Sequence, residues 1–565
     1  MADEPHVLRG INWREAFPFT HLFRAFRIAI HPSKIFLAAV ALLALYIGGR
    51  ALDALWSATG QAIPVAGEIR VYQQQGGGEA LLRYRQRERE NAARAYARHL
   101  PLIADKPGEQ YARLRNPDEA LAAARDARYT GDVAWRIRRD RDGEVAELIR
   151  RRDAALAQAA NDDARHQAHK TFADDLRAVY GRAAAALDDV KAVKGQGLFA
   201  AFFEYQSEQI NQVVSGVLEW RWLGENGVLA SILRFFVVAP SWALRTHPVY
   251  FLFFGALFLA IWSLFGGAIS RIAAVHVAEE GRKLSVRQGI SFAVSKFLSF
   301  LSAPLIPLII LLGIGIGLSA AAFVVTFIYL DVLVGAFFFL ALAAGIVMTL
   351  VVLGTAGGLN LMYPTIAVEG SDSFDAISRA FSYVYARPWR MLFYSLVAIA
   401  YGALTYLFVR FFIWLTLALT QFFVGLFIYW SAPGGGNYWS AVMPPPDFSS
   451  LPYQIAFDRL GAYGGLTAWL VAVWNYLLIS LLGAFAISFY FSVNTIIYYL
   501  MRREVDATEM DDVYLDQPDD DFGEPRTATP AAQAPATETA AAPSANAQPP
   551  GETAQPPAQE PPPGA

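Results

Sequence analysis

Six stretches of this chain stay apolar for about 20 residues or more, the length a helix needs to cross the hydrocarbon core of a bilayer. They fall at residues 33–52, 249–269, 303–330, 332–359, 391–430 and 466–500. In lipid every backbone N–H and C=O must be satisfied within the chain, so such stretches fold as helices. The third and fourth are separated only by Asp331. A charge at the middle of a span is costly, so residues 329–332 are expected to form the tight outer turn of a helical hairpin.

Composition closes off the alternatives. Hydrophobic residues make up 55% of the 565 and charged residues 17%, with a mean hydropathy of +0.30. Soluble domains average about 25% charged. A single-core soluble enzyme, a collagen, a coiled-coil rod and a wholly disordered chain are excluded. The formal charge of −3 gives no basic excess pointing to nucleic acid. The chain has no cysteine, which removes disulfides, thiolate metal sites and cysteine nucleophiles together.

Lys and Arg near the span ends set the orientation. Arg9, Arg14, Arg24, Arg27 and Lys34 precede the first span; Arg271, Arg282, Lys283, Arg287 and Lys296 follow the second. Arg379, Arg387 and Arg390 follow the fourth, and Arg502-Arg503 end the last. The two short alternate connections hold only Asp331 or Arg459, and residues 53–247, though rich in arginine, are long enough to translocate regardless of charge, so both termini are expected in the cytoplasm. No small-x-small site follows residues 47–50, so the first span reads as an uncleaved anchor.

The fold class expected is therefore all-α: a polytopic α-helical membrane protein of six spans with an inserted helical extracytoplasmic domain. Residues 1–32 form a cytoplasmic amphipathic segment and 33–52 the first span. Residues 53–247 form the outer domain with interfacial helices. Residues 248–503 form five spans with cytoplasmic amphipathic helices, and 504–565 an acidic, then Pro/Ala-rich, disordered tail.

Within the outer domain, residues 81–99 and 144–160 are rich in strong helix formers, with Glu90/Arg94 and Glu147/Arg151 as (i, i+4) pairs. Pro101, Pro107-Gly108, Asn116-Pro117-Asp118, Gly131 and Asp142-Gly143 mark breaks. Gln73–Gly78 and Gly195-Gln196-Gly197 read as hinges. His166 and His169 beside Asp162 and Asp163 share a helical face. No second cluster completes a coordination sphere, so no metal or other cofactor is expected. Residues 199–217 and 228–244 are apolar but too polar or interrupted to span, and read as interfacial helices.

A short pattern recurs before the spans. Glu369-Gly370 followed by Ala376-Ile377-Ser378 and Ala380 to Ser382 matches Glu280-Gly281 followed by Gly289-Ile290-Ser291 and Ala293 to Ser295. Arg24-Ala25-Phe26 with Pro32 and Lys34 echoes Arg379-Ala380-Phe381 with Pro388 and Arg390. Each odd-numbered span is thus expected to follow a cytoplasmic amphipathic helix. In the last copy Ser371 or Ser373 is the expected cap, and Ile377, Phe381 and Val384 the apolar stripe. The segment over residues 271–500 resembles bacterial multi-pass domains of unknown function. It is also similar to the membrane region attached to some glycerophosphodiester phosphodiesterases. The resemblance implies an integral protein of the bacterial cytoplasmic (inner) membrane. It implies no phosphodiesterase activity, because no such catalytic domain is present.

Ionisable and amide groups inside the spans are the candidate functional residues. Arg410, Asn475 and Asn494 could line a polar path; alternatively Arg410 snorkels to the outer boundary and the asparagines pack helices. Gly313/Gly317 and Gly354/Gly358 read as close helix contacts. No P-loop, HExxH or GxSxG in a plausible setting appears, so an enzyme is not expected. The expected role is to organise or assist other membrane or envelope components; the alternative is a transporter or lipid-handling permease. Membrane lipids and other envelope proteins are the expected partners, and nucleic acid is not.

Overall fold

The computed structural model describes residues 17–58, 64–103, 117–127, 129–279, 284–328, 331–431, 435–453, 455 and 462–514. Arg9, Arg14, Pro107-Gly108, Glu280-Gly281, Tyr329-Leu330, Arg459 and the tail 515–565 lie outside these residues, and so do the expectations that rest on them.

Every regular element among the described residues is a helix. After a 3₁₀ turn at Pro18–Arg24 come α1 (Ala25–Ala29) and α2 (Pro32–Ala58). The inserted domain contains α3 (Glu68–Gln75), α4 (Glu79–Ala97), α5 (Pro117–Arg125), α6 (Thr130–Gln158), α7 (Asp162–Lys194), α8 (Leu198–Leu218) and α9 (Val228–Thr246). The membrane domain follows as α10 (Pro248–Ala278), α11 (Val286–Ser295), α12 (Phe297–Ile328), α13 (Asp331–Glu369), α14 (Ser373–Ala386), α15 (Pro388–Ser431), α16 (Gly435–Val442) and α17 (Ala462–Asp506).

Among the described residues, seven helices are long and apolar enough to cross a membrane. Six correspond to the expected spans; the seventh is α9. It runs antiparallel to α8: Val228 and Leu229 donate backbone N–H groups to Arg221 and Trp222, and Gly216 packs on Val228. Its far end returns to the buried cluster of Leu198, Phe199 and Tyr205, where Trp242 and Tyr250 also sit. The hairpin thus brings the chain back to where α8 began.

The bundle α4 to α7 differs from the sequence reading at one break. Helix α6 runs 29 residues straight through Asp142-Gly143. A glycine in a helix interior costs about 1 kcal/mol. Packing along α7 offsets that: Arg182 donates to Glu144, Arg141 lies over Tyr180 and Arg152 over Phe172. Of the two hinges, Gly76 and Gly78 adopt φ of +74° and +92°, which a side chain would strain. The second is no free hinge. Asp53 accepts from Phe199 N and Ala200 N at 2.9 and 3.2 Å, capping α8. A Cβ on Gly197 would collide with that carboxylate.

The three helices that precede the odd-numbered spans are all present, and each buries a pair of small residues four apart. These are Ala25/Ala29, Gly289/Ala293 and Ala376/Ala380. In α11 the pair lies on the end of α10, with Gly289 against Ile272. In α14 it lies on α13, with Ala380 against Gly358. A Ser285–Gln288 capping box starts α11. For α14 the cap is Asp372, which accepts from Asp375 N at 2.9 Å, and not Ser371 or Ser373. A carboxylate opposite the positive helix end is the stronger acceptor.

Helices α15 and α17 have 44 and 45 residues. At 1.5 Å per residue they are about 66 Å long, twice the hydrocarbon core. Their far halves are covered by α16 and the segment 443–453 through Ile413, Leu417, Val442, Leu451 and Leu482. The opposite ends of the spans converge with α1 and α14 on one buried cluster that includes Phe300, Met362, Tyr383 and Tyr498.

Candidate functional site

Helices α13 and α15 both pack along α17, and a cleft of about 480 Å³ opens among the three. Small side chains make the space: Ala398, Gly402 and Ala403 on α15 and Ala486 on α17. Phe489, Val493 and Ile399 supply apolar walls. The roof is the α8–α9 hairpin, through Ile210, Val213 and Val217 on one helix and Ile232, Phe235 and Phe236 on the other. The lining is dominated by apolar atoms, and a few polar groups interrupt it. Tyr490 Oη donates to Asn360 Oδ1 at 2.5 Å. Asn494 is 6% exposed and lines the cleft. Gln209 enters from the roof, 2% exposed, with its Oε1 lacking a hydrogen-bond partner.

The roof is tied down at both ends. Asp53 caps its start and also accepts from Tyr250 Oη at 2.8 Å. At the α9 end, buried Glu68 accepts from Trp242 Nε1 at 2.9 Å and pairs with Arg85. Arg85 in turn approaches His247 Nε2 at 3.4 Å. Burial, and then the Arg85 charge, push the His247 imidazole down to about 4.

Arg410 fixes the roof to the far half of α15. It is 2% exposed and does not snorkel. Its Nε donates to Phe448 O and its Nη2 to Ser449 O, both at 2.8 Å, and Nη2 also reaches Asn211 Oδ1 of α8 at 3.1 Å. Asn475 holds the same segment by donating to Tyr453 Oη at 2.7 Å. Asn494 is 19 residues further along α17, about 28 Å at 1.5 Å per residue. The three residues expected to share a path therefore separate: Arg410 and Asn475 brace the segment 443–453, and only Asn494 faces the cleft.

Ile377, Phe381 and Val384 are half-buried on the main cluster. They face protein: Phe381 packs on Gly354 and Val384 on Gly357, while Ala376, Ala380 and Tyr383 lie deeper still. Of the two small-residue pairs, Gly354/Gly358 makes the close contact expected. Gly313 and Gly317 have nothing within 4 Å of a Cβ position.

One cluster had no signal in sequence periodicity. Glu369 accepts from Tyr498 Oη at 2.9 Å and pairs with Arg502 at 2.8 Å; Arg502 also reaches Asp512 at 2.7 Å. Tyr514 N donates to Val368 O at 2.8 Å, closing residues 507–514 over Gly370, whose φ is +65°. The recurring Glu-Gly pair thus acts, in its last copy, as a junction between α13, α14 and the end of α17. The acid and the arginine are far apart in sequence, and only the fold joins them.

A second cavity of about 610 Å³ lies against the polar face of α8, next to α3, and Arg70, Tyr205, Glu208, Gln212, Glu225 and Arg234 line it. Arg70 is held by Glu208 through two bonds of 2.7 and 2.8 Å. That hydrogen bond, with the Glu208 charge, raises the guanidinium further above neutrality. Burial pushes the Tyr205 phenol up to about 12, so it stays a donor. His166 and His169 sit in the first turns of α7, and no group of three or more potential metal ligands occurs among the described residues. Compared with family models, curated proteins and solved structures, the chain matches none.

Proposed function

We propose that this chain is a lipid-handling protein of a bacterial cytoplasmic membrane, whose cleft among α13, α15 and α17 receives one acyl chain of a bilayer lipid beneath the α8–α9 roof. The observation that carries the reading is the cleft itself: an apolar slot bounded by spans, with a few amide and phenol groups along it. Such a lining suits a hydrocarbon chain, and its few polar groups suit an ester or hydroxyl near the chain's head. Asn494 and the Tyr490–Asn360 pair are the groups available for that contact. Activity is binding and passage, with no bond made or broken.

Photo-crosslinking tests it. A phospholipid carrying a diazirine along one acyl chain is added to membranes holding the full chain. Labelling of peptides containing Ile399 and Phe489 supports the reading; labelling spread evenly over the outer faces of α12 and α13 refutes it. The orientation, with both termini cytoplasmic and the inserted domain outside, rests on the Lys/Arg asymmetry and on the return of α9 along α8. Phosphatase fusions at residues 146 and 290 check it: activity at the second, or none at the first, contradicts it.

The organising role has one feature of its own in favour. The tip of the α8–α9 hairpin exposes Trp220 and Leu223, each 78% accessible. Exposed apolar tips of this kind mark contact sites. Trp220→Ser with Leu223→Ser would then release a co-purifying envelope protein while lipid crosslinking persists. Loss of both together would count against a separate docking role.

A further inference from the structure

The polar cavity beside α8 has charges that its own walls leave unmatched. Arg70 is committed to Glu208. Arg234, on the α9 side, has the Gln73 amide as its neighbour. In the orientation that satisfies both ends of that amide, Gln73 Oε1 accepts from Arg234 Nε at 2.9 Å and Nη2 at 3.2 Å, and its nitrogen donates to Tyr205 Oη at 2.7 Å. No carboxylate stands at ion-pair distance from Arg234 among the described residues. Across the cavity Glu225 is exposed and makes no ion pair among those residues. The same lining includes Gln209, whose Oε1 is buried and unpartnered. A buried acceptor left without a donor is unfavourable, so a ligand that supplies one is favoured.

We infer that this cavity binds a zwitterionic phosphoethanolamine group, with the phosphate on Arg234 and the ammonium on Gln209 and Glu225. The Nη1 edge of the Arg234 guanidinium, which Gln73 does not hold, suits phosphate oxygens. An ammonium has three donors to place, and the Gln209 Oε1, the Glu225 carboxylate and the Asn226 amide of the same wall are acceptors. A simple anion would leave Glu225 and Gln209 unanswered, and a simple cation would leave Arg234. Gln209 lines both spaces; the rest of the α8 wall of the cavity is the Tyr205, Glu208 and Gln212 face, turned from the Ile210, Val213 and Val217 face that roofs the cleft. The Arg234 and Glu225 contacts therefore stand whether or not an acyl chain fills the cleft.

The group can arrive on a lipid or as a free solute, and calorimetry on the full chain distinguishes the two. In detergent micelles, glycerophosphoethanolamine should bind saturably and about tenfold tighter than glycerophosphate or ethanolamine, a difference of about 1.4 kcal/mol. Glu225→Gln should cut that affinity about tenfold, to the level of glycerophosphate. Because Glu225 is exposed and unpaired, this variant keeps the fold even if Arg234→Gln does not. In nanodiscs of phosphatidylethanolamine the soluble isotherm should vanish if the lipid is the source, and persist as in phosphatidylglycerol nanodiscs if the source is free. Absence of saturable binding in micelles, equal affinity for glycerophosphate and glycerophosphoethanolamine, or an unchanged Glu225→Gln isotherm would overturn the inference.

Discussion

Replacing Arg410 by Met removes a guanidinium that is 2% exposed and that donates at 2.8, 2.8 and 3.1 Å to Phe448 O, Ser449 O and Asn211 Oδ1. Methionine fills much of the volume and donates nothing. Each acceptor left buried costs about 1–3 kcal/mol. The two short carbonyl bonds set the scale, at about 2–6 kcal/mol together. Removing the charge also removes its own desolvation penalty, which opposes the loss. The net expectation is a destabilisation of about 2–4 kcal/mol by these same terms. Arg410→Lys keeps the charge but a single ammonium cannot span the three acceptors, so it should fall between the parent and Met. Thermal unfolding in detergent, followed by tryptophan fluorescence, gives the order. The chain has no cysteine, so Ser449→Cys adds a single reporter whose labelling rate reads release of the segment 443–453. A Met variant as stable as its parent, with unchanged labelling, would refute the claim that Arg410 is a brace.

Two further outcomes follow from the geometry. Phe381→Asp should destabilise the protein by about 1–3 kcal/mol, the lost packing of a half-buried ring on Gly354 together with a carboxylate placed at an apolar contact, while the exposed Ser378→Asp should be mild; equal unfolding temperatures for the two would contradict the packing of α14 on α13. For His247, the folded protein holds the imidazole at about 4 against an ordinary 6.5, so the unfolded chain takes up a proton that the folded one refuses. Its contribution is full above 6.5 and lost as pH falls from 6.5 toward 4. His247→Gln should flatten that part of the stability–pH curve, and an unchanged slope would show that His247 is not the group titrating.

The sequence was legible where one helix face or one span length carried the information. Spans, the inserted helical bundle and the three helices before the odd spans follow from apolar length, helix propensity and the recurring small residues. Val228–Thr246 was harder, because its mean hydropathy reaches that of a span while Arg234 and Pro240 interrupt it. Only its pairing with α8 shows the return. Asp142-Gly143 reads as a break because local cost was weighed without the neighbouring helix α7. Arg410 stands out in the sequence as an isolated charge, but its partners Phe448, Ser449 and Asn211 lie up to 199 residues away. The same is true of Glu369 with Arg502, and of the cleft, whose walls come from five helices. Periodicity reports one helix at a time and is silent on which faces meet.

If the cleft holds an acyl chain, filling it with protein side chains should expel that chain. Ala403→Trp and Ala486→Trp place a large ring in space now lined by small side chains. Native mass spectrometry of the full chain after exhaustive delipidation should find one lipid retained by the parent and none by either tryptophan variant, with unfolding temperatures unchanged. Equal retention by all three proteins, or no retained lipid in the parent, would contradict it.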